Sequence, residues 1–196
     1  MMMKRIFAVM AVAILMGFGA SFAQSAGTFK DSRDGKTYRT VKVGTAVWMA
    51  ENLNFAAKGS VCYENKDANC VKYGRLYDWD TALKACPAGY HLPSDDEWTA
   101  LVNYAGGEEK AGKMLKSSKG WKSAVGINYY GFSALPGGYG YADGSFYNAG
   151  NNGDWWSATG DDANGAWIRG MYYNDGSVGR GNGSKSSLFS VRCVKD

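Results

Sequence analysis

Between Tyr38 and Val43 the chain alternates polar and apolar side chains and is rich in β-formers, which predicts a strand. Asp31-Ser32-Arg33-Asp34-Gly35-Lys36 precedes it as a turn. Gly44-Thr45 supplies a second turn, and Ala46-Val47-Trp48-Met49-Ala50 predicts the other arm of a hairpin. From Leu53 to Val71 no period holds, and the segment reads as irregular. The period then changes. Trp79, Ala82, Leu83 and Cys86 stand at i, i+3, i+4 and i+7, so 77–85 is predicted helical. Asp78 and Asp80 suit its positive N-terminal end, and Pro87-Ala88-Gly89 stops it. Ser94 followed by Glu97 is a capping box, with Trp98, Leu101, Val102 and Ala105 as one apolar stripe and Gly106-Gly107 as the stop. A third helical stretch, 108–116, turns Ala111, Met114 and Leu115 inward. After Trp121 the pattern becomes short strands and long loops. Candidate strands are 132–136, 155–159, 166–173 and 187–193, with Asn174-Asp175-Gly176 as a hairpin turn. Helices and strands in this order predict one α+β domain.

At the N-terminus, Met1-Met2-Met3-Lys4-Arg5, an apolar run from Ile6 to Phe18 and the small residues Ser21 and Ala23 form a secretory signal peptide. The expected organisation is a signal peptide over 1–23, a flexible mature N-terminus over 24–30 and a single domain over 31–196. The apolar run falls short of the ~20 residues a membrane span needs, so no transmembrane segment is expected after its removal. No cysteine follows the cleavage site, so no lipid anchor is indicated. The expected location is secreted or cell-surface, with the periplasm as the other exported compartment. Without Lys4 and Arg5, the 22 basic residues fall to 20 against 18 acidic ones, a net charge of +2. That argues against nucleic acid or an anionic membrane as partner.

Four cysteines in an exported chain predict disulfides. Three pairings are open. Cys62 and Cys70 bracket a short polar loop, and pairing them leaves Cys86 for Cys193. Loop entropy makes these bridges worth about 2.6 and about 4.8 kcal/mol. The long one would clamp a C-terminal third dense in Gly, Asn, Tyr and Trp and poor in aliphatic core. A four-cysteine metal site lacks the close pairs that zinc favours.

The chemistry-bearing residues are few. His91 is the only histidine, which excludes a multi-histidine metal site, and its turn position suits a structural hydrogen bond. Neither a Gly-x-Ser-x-Gly elbow nor a phosphate-binding loop occurs. No catalytic residue is expected, and no cofactor. Asp161 and Asp162 are the only calcium candidates, in a loop that does not follow EF-hand spacing. The aromatics are abundant: 13 Tyr and 7 Trp beside 27 Gly and 3 Pro. Most should fill the core. Tyr139, Tyr141, Phe146, Tyr147, Tyr172 and Tyr173 lie on or beside Gly/Asn-rich segments, and Trp156 is the member of the Trp155-Trp156 pair expected to face out. These seven are the candidate binding residues, on a contact face formed by 139–154 and 172–182.

Six segments, in order, carry a resemblance. They are Asp31–Tyr38, Trp48-Met49-Ala50-Glu51-Asn52-Leu53-Asn54, Cys86–Trp98, Phe132-Ser133-Ala134-Leu135-Pro136-Gly137-Gly138, Trp155–Thr159 and Phe189-Ser190-Val191-Arg192-Cys193-Val194. The chain resembles the Fibrobacter succinogenes major paralogous domain, a family of exported or surface proteins. More remotely, His91–Trp98 with the terminal Val191-Arg192-Cys193 is similar to the formylglycine-generating-enzyme branch of the C-type-lectin-like superfamily. That likeness implies a mixed sheet with two to three helices and long loops, and a bridge from a helix to the last strand, in agreement with Cys86–Cys193. It does not imply the enzyme's activity, because the late pair of reactive cysteines is reduced here to Cys193. The sugar-binding triplets of calcium lectins are absent as well. The expected function is a monomeric, exported, non-catalytic module binding polysaccharide or a surface protein. The alternatives are a structural cell-envelope component without small ligand, and a diverged formylglycine-generating-enzyme-like oxidoreductase.

Overall fold

The computed structural model describes residues 26–123 and 126–196. The expected signal peptide lies outside these residues. Among them the chain forms twelve strands and four α-helices. In order these are β1 (Ala26–Lys30), β2 (Thr37–Val43), β3 (Ala46–Met49), α1 (Asp67–Tyr73), β4 (Leu76–Tyr77), α2 (Trp79–Ala85), β5 (Tyr90–His91), α3 (Asp95–Tyr104), α4 (Glu108–Leu115), β6 (Tyr139–Gly140), β7 (Phe146–Tyr147), β8 (Asn152–Gly160), β9 (Gly165–Tyr172), β10 (Gly179–Ser184), β11 (Phe189–Ser190) and β12 (Val194–Lys195).

Two five-stranded sheets carry the fold. The first runs β1-β2-β3-β12-β5, the second β10-β9-β8-β11-β4. The first is antiparallel throughout, and β12 sits inside it between β3 and β5. The last strand therefore completes a sheet begun by the first three. The predicted β2–β3 hairpin is present, turning at Gly44 with φ 65°. The expectation of a flexible 24–30 fails for Ala26–Lys30, which pairs along its length with β2, from Ala26↔Val41 to Lys30↔Thr37. The alternation that makes β2 a strand also offers that second edge.

The helical segments are close to those expected, plus one more. Ser94 and Glu97 form the capping box of α3. Asp78 is the N-cap of α2 and accepts from the Thr81 amide at 2.8 Å. Tyr77 belongs to β4, and Leu83, placed inward by the sequence pattern, is 40% exposed. The additional helix, α1, buries only Cys70 and Tyr73 and leaves Val71 exposed. It is fixed by the Cys62–Cys70 bridge across its first turn and by Asn69, whose Nδ2 donates to the Tyr63 carbonyl. Residues 132–136 form no strand beyond the single bridge Lys116↔Ala134. Residues 187–193 divide, with β11 in one sheet and the chain then crossing toward β12 in the other.

Both expected disulfides are present, Cys62–Cys70 and Cys86–Cys193. The second joins the C-terminal end of α2 to the residue before β12. Two apolar clusters fill the interior. One gathers Trp48, Trp98, Phe132 and Trp155 with α3 and α4. The other gathers Tyr77, Trp156, Phe189, Val191 and Cys193 with α2. Trp98 is fully buried and donates Nε1–H to the Trp156 carbonyl at 3.2 Å. Truncating such a side chain to alanine costs about 3–5 kcal/mol.

Candidate functional site

Four of the seven predicted binding residues come together on one hairpin. Tyr139 and Gly140 pair with Tyr147 and Phe146. The turn between them is closed by Asp143, whose Oδ1 accepts from the Ser145 amide at 2.9 Å and its hydroxyl at 2.6 Å, with Gly144 at φ 85°. Those hydrogen bonds hold the Asp143 carboxyl below its usual range. Gly140 exchanges two backbone hydrogen bonds with Leu188, which docks the hairpin beside β11.

The side chains form a self-supporting cluster. Tyr139 stacks on Tyr147 with centroids 5.9 Å apart and meets Tyr141 edge-on at 5.6 Å. Tyr141 and Tyr147 meet at 5.7 Å. Tyr139 is half-buried against Phe189, and burial raises its phenol pKa. Tyr141 and Tyr147 remain 44% and 46% exposed. Rings that brace one another lose little further freedom on meeting a ligand.

Beside the hairpin lies a groove of about 810 Å³. Tyr141, Phe146, Leu188 and Val61 give it an apolar wall, and Asp78, Asp80, Asn164 and Lys185 line it with polar groups. Phe146 is packed against Tyr63 at 5.4 Å. The Lys185 ammonium donates to the Asp162 carbonyl at 2.8 Å and lies 4.6 Å from the Trp79 ring, which fixes its position at the edge of the groove. Aromatic faces beside hydrogen-bonding side chains suit a hydroxyl-rich ligand.

The remaining predicted residues are placed differently. Trp156, expected to face out, is fully buried and donates Nε1–H to the Tyr77 carbonyl at 2.7 Å. Alternation does send Trp155 and Trp156 to opposite faces, but both faces of β8 are covered there, one by each apolar cluster. Tyr172 is 41% exposed at the end of β9. Tyr173 lies beyond the strand, with the Lys122 ammonium 5.1 Å from its ring. Asp161 and Asp162 sit on the β8–β9 turn. Asp162 Oδ1 accepts from the Asn164 and Gly165 amides at 2.7 and 2.6 Å, while Asp161 accepts from Asn182. Among the described residues no three His, Cys, Asp or Glu side chains gather as a metal site would require.

His91 spans two carboxylates, with Nδ1 2.7 Å from Asp196 and Nε2 2.9 Å from Glu97. Burial opposes its charge, but the two hydrogen bonds prevail and raise its pKa. Two other ionic groups escaped the sequence. Asp95, at the start of α3, pairs with Arg169 at 2.6 Å and Arg180 at 2.9 Å, linking the helix to β9 and β10. Asp154, on β8, is 4% exposed. Its Oδ2 has no hydrogen-bond partner among the described residues, and burial pushes its pKa up to about 7. A single Asp before two tryptophans carries no sequence signal of this.

The segments that carry the resemblance converge on the interior. Arg192 is fully buried and donates to Asn52 Oδ1 from Nη2 at 2.7 Å and Nε at 3.2 Å, to the Phe132 carbonyl, and to the Ser133 carbonyl at 3.3 Å. Its guanidinium lies 4.3 Å from the Phe132 ring. Trp155 Nε1–H reaches the same Asn52 oxygen at 2.9 Å. Burial pulls the Arg192 pKa down to about 9, so it stays charged at neutral pH. Four of the six motif segments thus specify a scaffold, and the tyrosine hairpin is carried on it.

No curated protein matches the chain, and no solved structure does. The sequence profile of the Fibrobacter succinogenes major domain matches residues 41–195, which takes in the second sheet, both disulfides and the first sheet except β1 and the start of β2. The chain belongs to the Fibrobacter succinogenes major domain family.

Proposed function

We propose that the protein is an exported, non-catalytic module that binds polysaccharide through the β6–β7 hairpin and the groove beside it. The observation that carries this reading is the braced triad of Tyr139, Tyr141 and Tyr147, two of whose rings stay more than two-fifths exposed. Large exposed aromatic faces are costly to leave in water and profitable against the apolar face of a sugar ring. Export is supported by the two disulfides, which persist in oxidising compartments. No helix of the described residues is long and apolar enough to cross a membrane. A non-catalytic role is supported by His91, whose two ring nitrogens are both taken up by carboxylates. A C-type-lectin-like architecture is supported by β12 inserted among the first strands and by the bridge from α2 to the approach to β12.

A glycan array probed with the folded, oxidised domain tests the reading. Selective signal on plant or bacterial cell-wall polysaccharides is expected. A blank array together with capture of a surface protein would replace polysaccharide by protein as the ligand class.

A further inference from the structure

On the face of the second sheet that carries Asp154 and Trp156, β10 contributes glycines in place of side chains. Asp154 on β8 pairs with Gly170 on β9, which pairs with Gly179 on β10. Trp156 pairs with Ile168, which pairs with Gly181. Cross-strand partners share a face, so Gly179 and Gly181 form a strip of open backbone on β10, beyond the buried Gly170 and Asp154. A Cβ on Gly179 would meet only the Gly170 carbonyl oxygen, at 3.8 Å, and one on Gly181 only Ile168, at 3.6 Å. The space above is open.

Two tyrosines wall this floor. Tyr172 shares the face of Gly170, and a Cβ on Gly170 would lie 3.2 Å from its hydroxyl and 2.9 Å from Asp154 Oδ1. The carboxyl and the phenol therefore both reach into the space that the missing Gly170 side chain leaves. On the other side stands Tyr139. Its ring packs on Phe189 at 6.0 Å, and Phe189 packs at 4.7 Å on Trp156, which shares the face of Asp154. The Gly138↔Gly153 bridge fixes that spacing.

A buried carboxyl without a hydrogen bond is an expensive feature unless something completes it. A divalent cation would need more oxygen ligands than one carboxylate offers, and no third acid, cysteine or histidine joins it among the described residues. A hydroxyl donor needs one acceptor.

We propose that this trough is a sugar subsite, in which a pyranose ring lies on the Gly179–Gly181 backbone between Tyr139 and Tyr172 and one of its hydroxyls donates to Asp154 Oδ1. This rests on the polysaccharide reading above and extends it from the hairpin across the sheet.

The test is calorimetric titration of the oxidised domain with neutral cellohexaose, xylohexaose and mannohexaose at pH 5.5 and pH 8. The variants are Asp154→Asn, Gly179→Val and Tyr141→Ala/Tyr147→Ala. Gly179 lies outside the left-handed region and has room for a side chain, so Gly179→Val fills the trough without straining the fold. The wild type is expected to bind one hexaose more tightly at pH 8, because an ionised carboxylate is the better acceptor. Asp154→Asn should weaken binding about tenfold at pH 8 and remove its pH dependence. Gly179→Val should abolish binding. If both variants bind as the wild type does while Tyr141→Ala/Tyr147→Ala does not, the trough is overturned and the hairpin stands. If the wild type binds none of the three sugars, both readings fall.

Discussion

Asn52 and Arg192, 140 residues apart in the chain, meet at 2.7 Å in the interior. The same Asn52 oxygen accepts from Trp155, and its amide nitrogen donates to the Tyr73 carbonyl at 2.8 Å. One short side chain therefore ties the C-terminal tail, β8 and the end of α1 together. Replacing it leaves a buried guanidinium without its main acceptor. Asn52→Ala should destabilise the domain by about 3 kcal/mol or more, read from the midpoint of urea unfolding. A loss below about 1 kcal/mol would show that the carbonyls of Phe132 and Ser133 suffice.

The two disulfides should differ in weight. The Cys86–Cys193 bridge closes a separation of 107 residues and Cys62–Cys70 one of 8. Replacing the first pair by serine should cost about 2 kcal/mol more than replacing the second, if unfolded-chain entropy dominates. Thermal unfolding of the two double variants compares them directly. Equal losses would place the difference in native-state strain or packing.

Asp154 should give the domain a distinctive pH profile. Burial raises its carboxyl from 3.8 to about 7. Below pH 3.8 both folded and unfolded chains hold the proton, and there is no effect. Between 3.8 and 7 only the unfolded chain releases it, so stability falls as pH rises. Above 7 the loss is complete, on the order of 4 kcal/mol. Asp154→Asn should therefore be more stable than the wild type at pH 8 and equal to it near pH 3. Denaturant midpoints across that range check the prediction. A constant difference at every pH would remove Asp154 as the cause.

Much of the frame was legible in the chain because local chemistry and tertiary structure agree. The Ser94–Glu97 box needs only its own turn, and Gly44 is a hairpin turn whatever surrounds it. The features that were hidden depend on what lies opposite. Alternation says that one of Trp155 and Trp156 leaves a given face, and only the second apolar cluster buries both. The helix α1 turns only Cys70 and Tyr73 inward, too short a stripe to read, and a covalent bridge anchors it. Within the candidate site, Tyr139 to Tyr147 stood out by composition. The Asp154 trough did not, because it is made by glycines on two further strands whose register no local pattern reveals.

The most direct measurement is co-sedimentation of the oxidised domain with insoluble cellulose and xylan, comparing the wild type with Tyr141→Ala/Tyr147→Ala. The exposed rings contribute little to the core, so the double variant should keep the wild-type melting temperature and lose at least about tenfold in affinity. Undiminished retention of the variant on the polysaccharide, or a wild type that stays in the supernatant, would contradict the account.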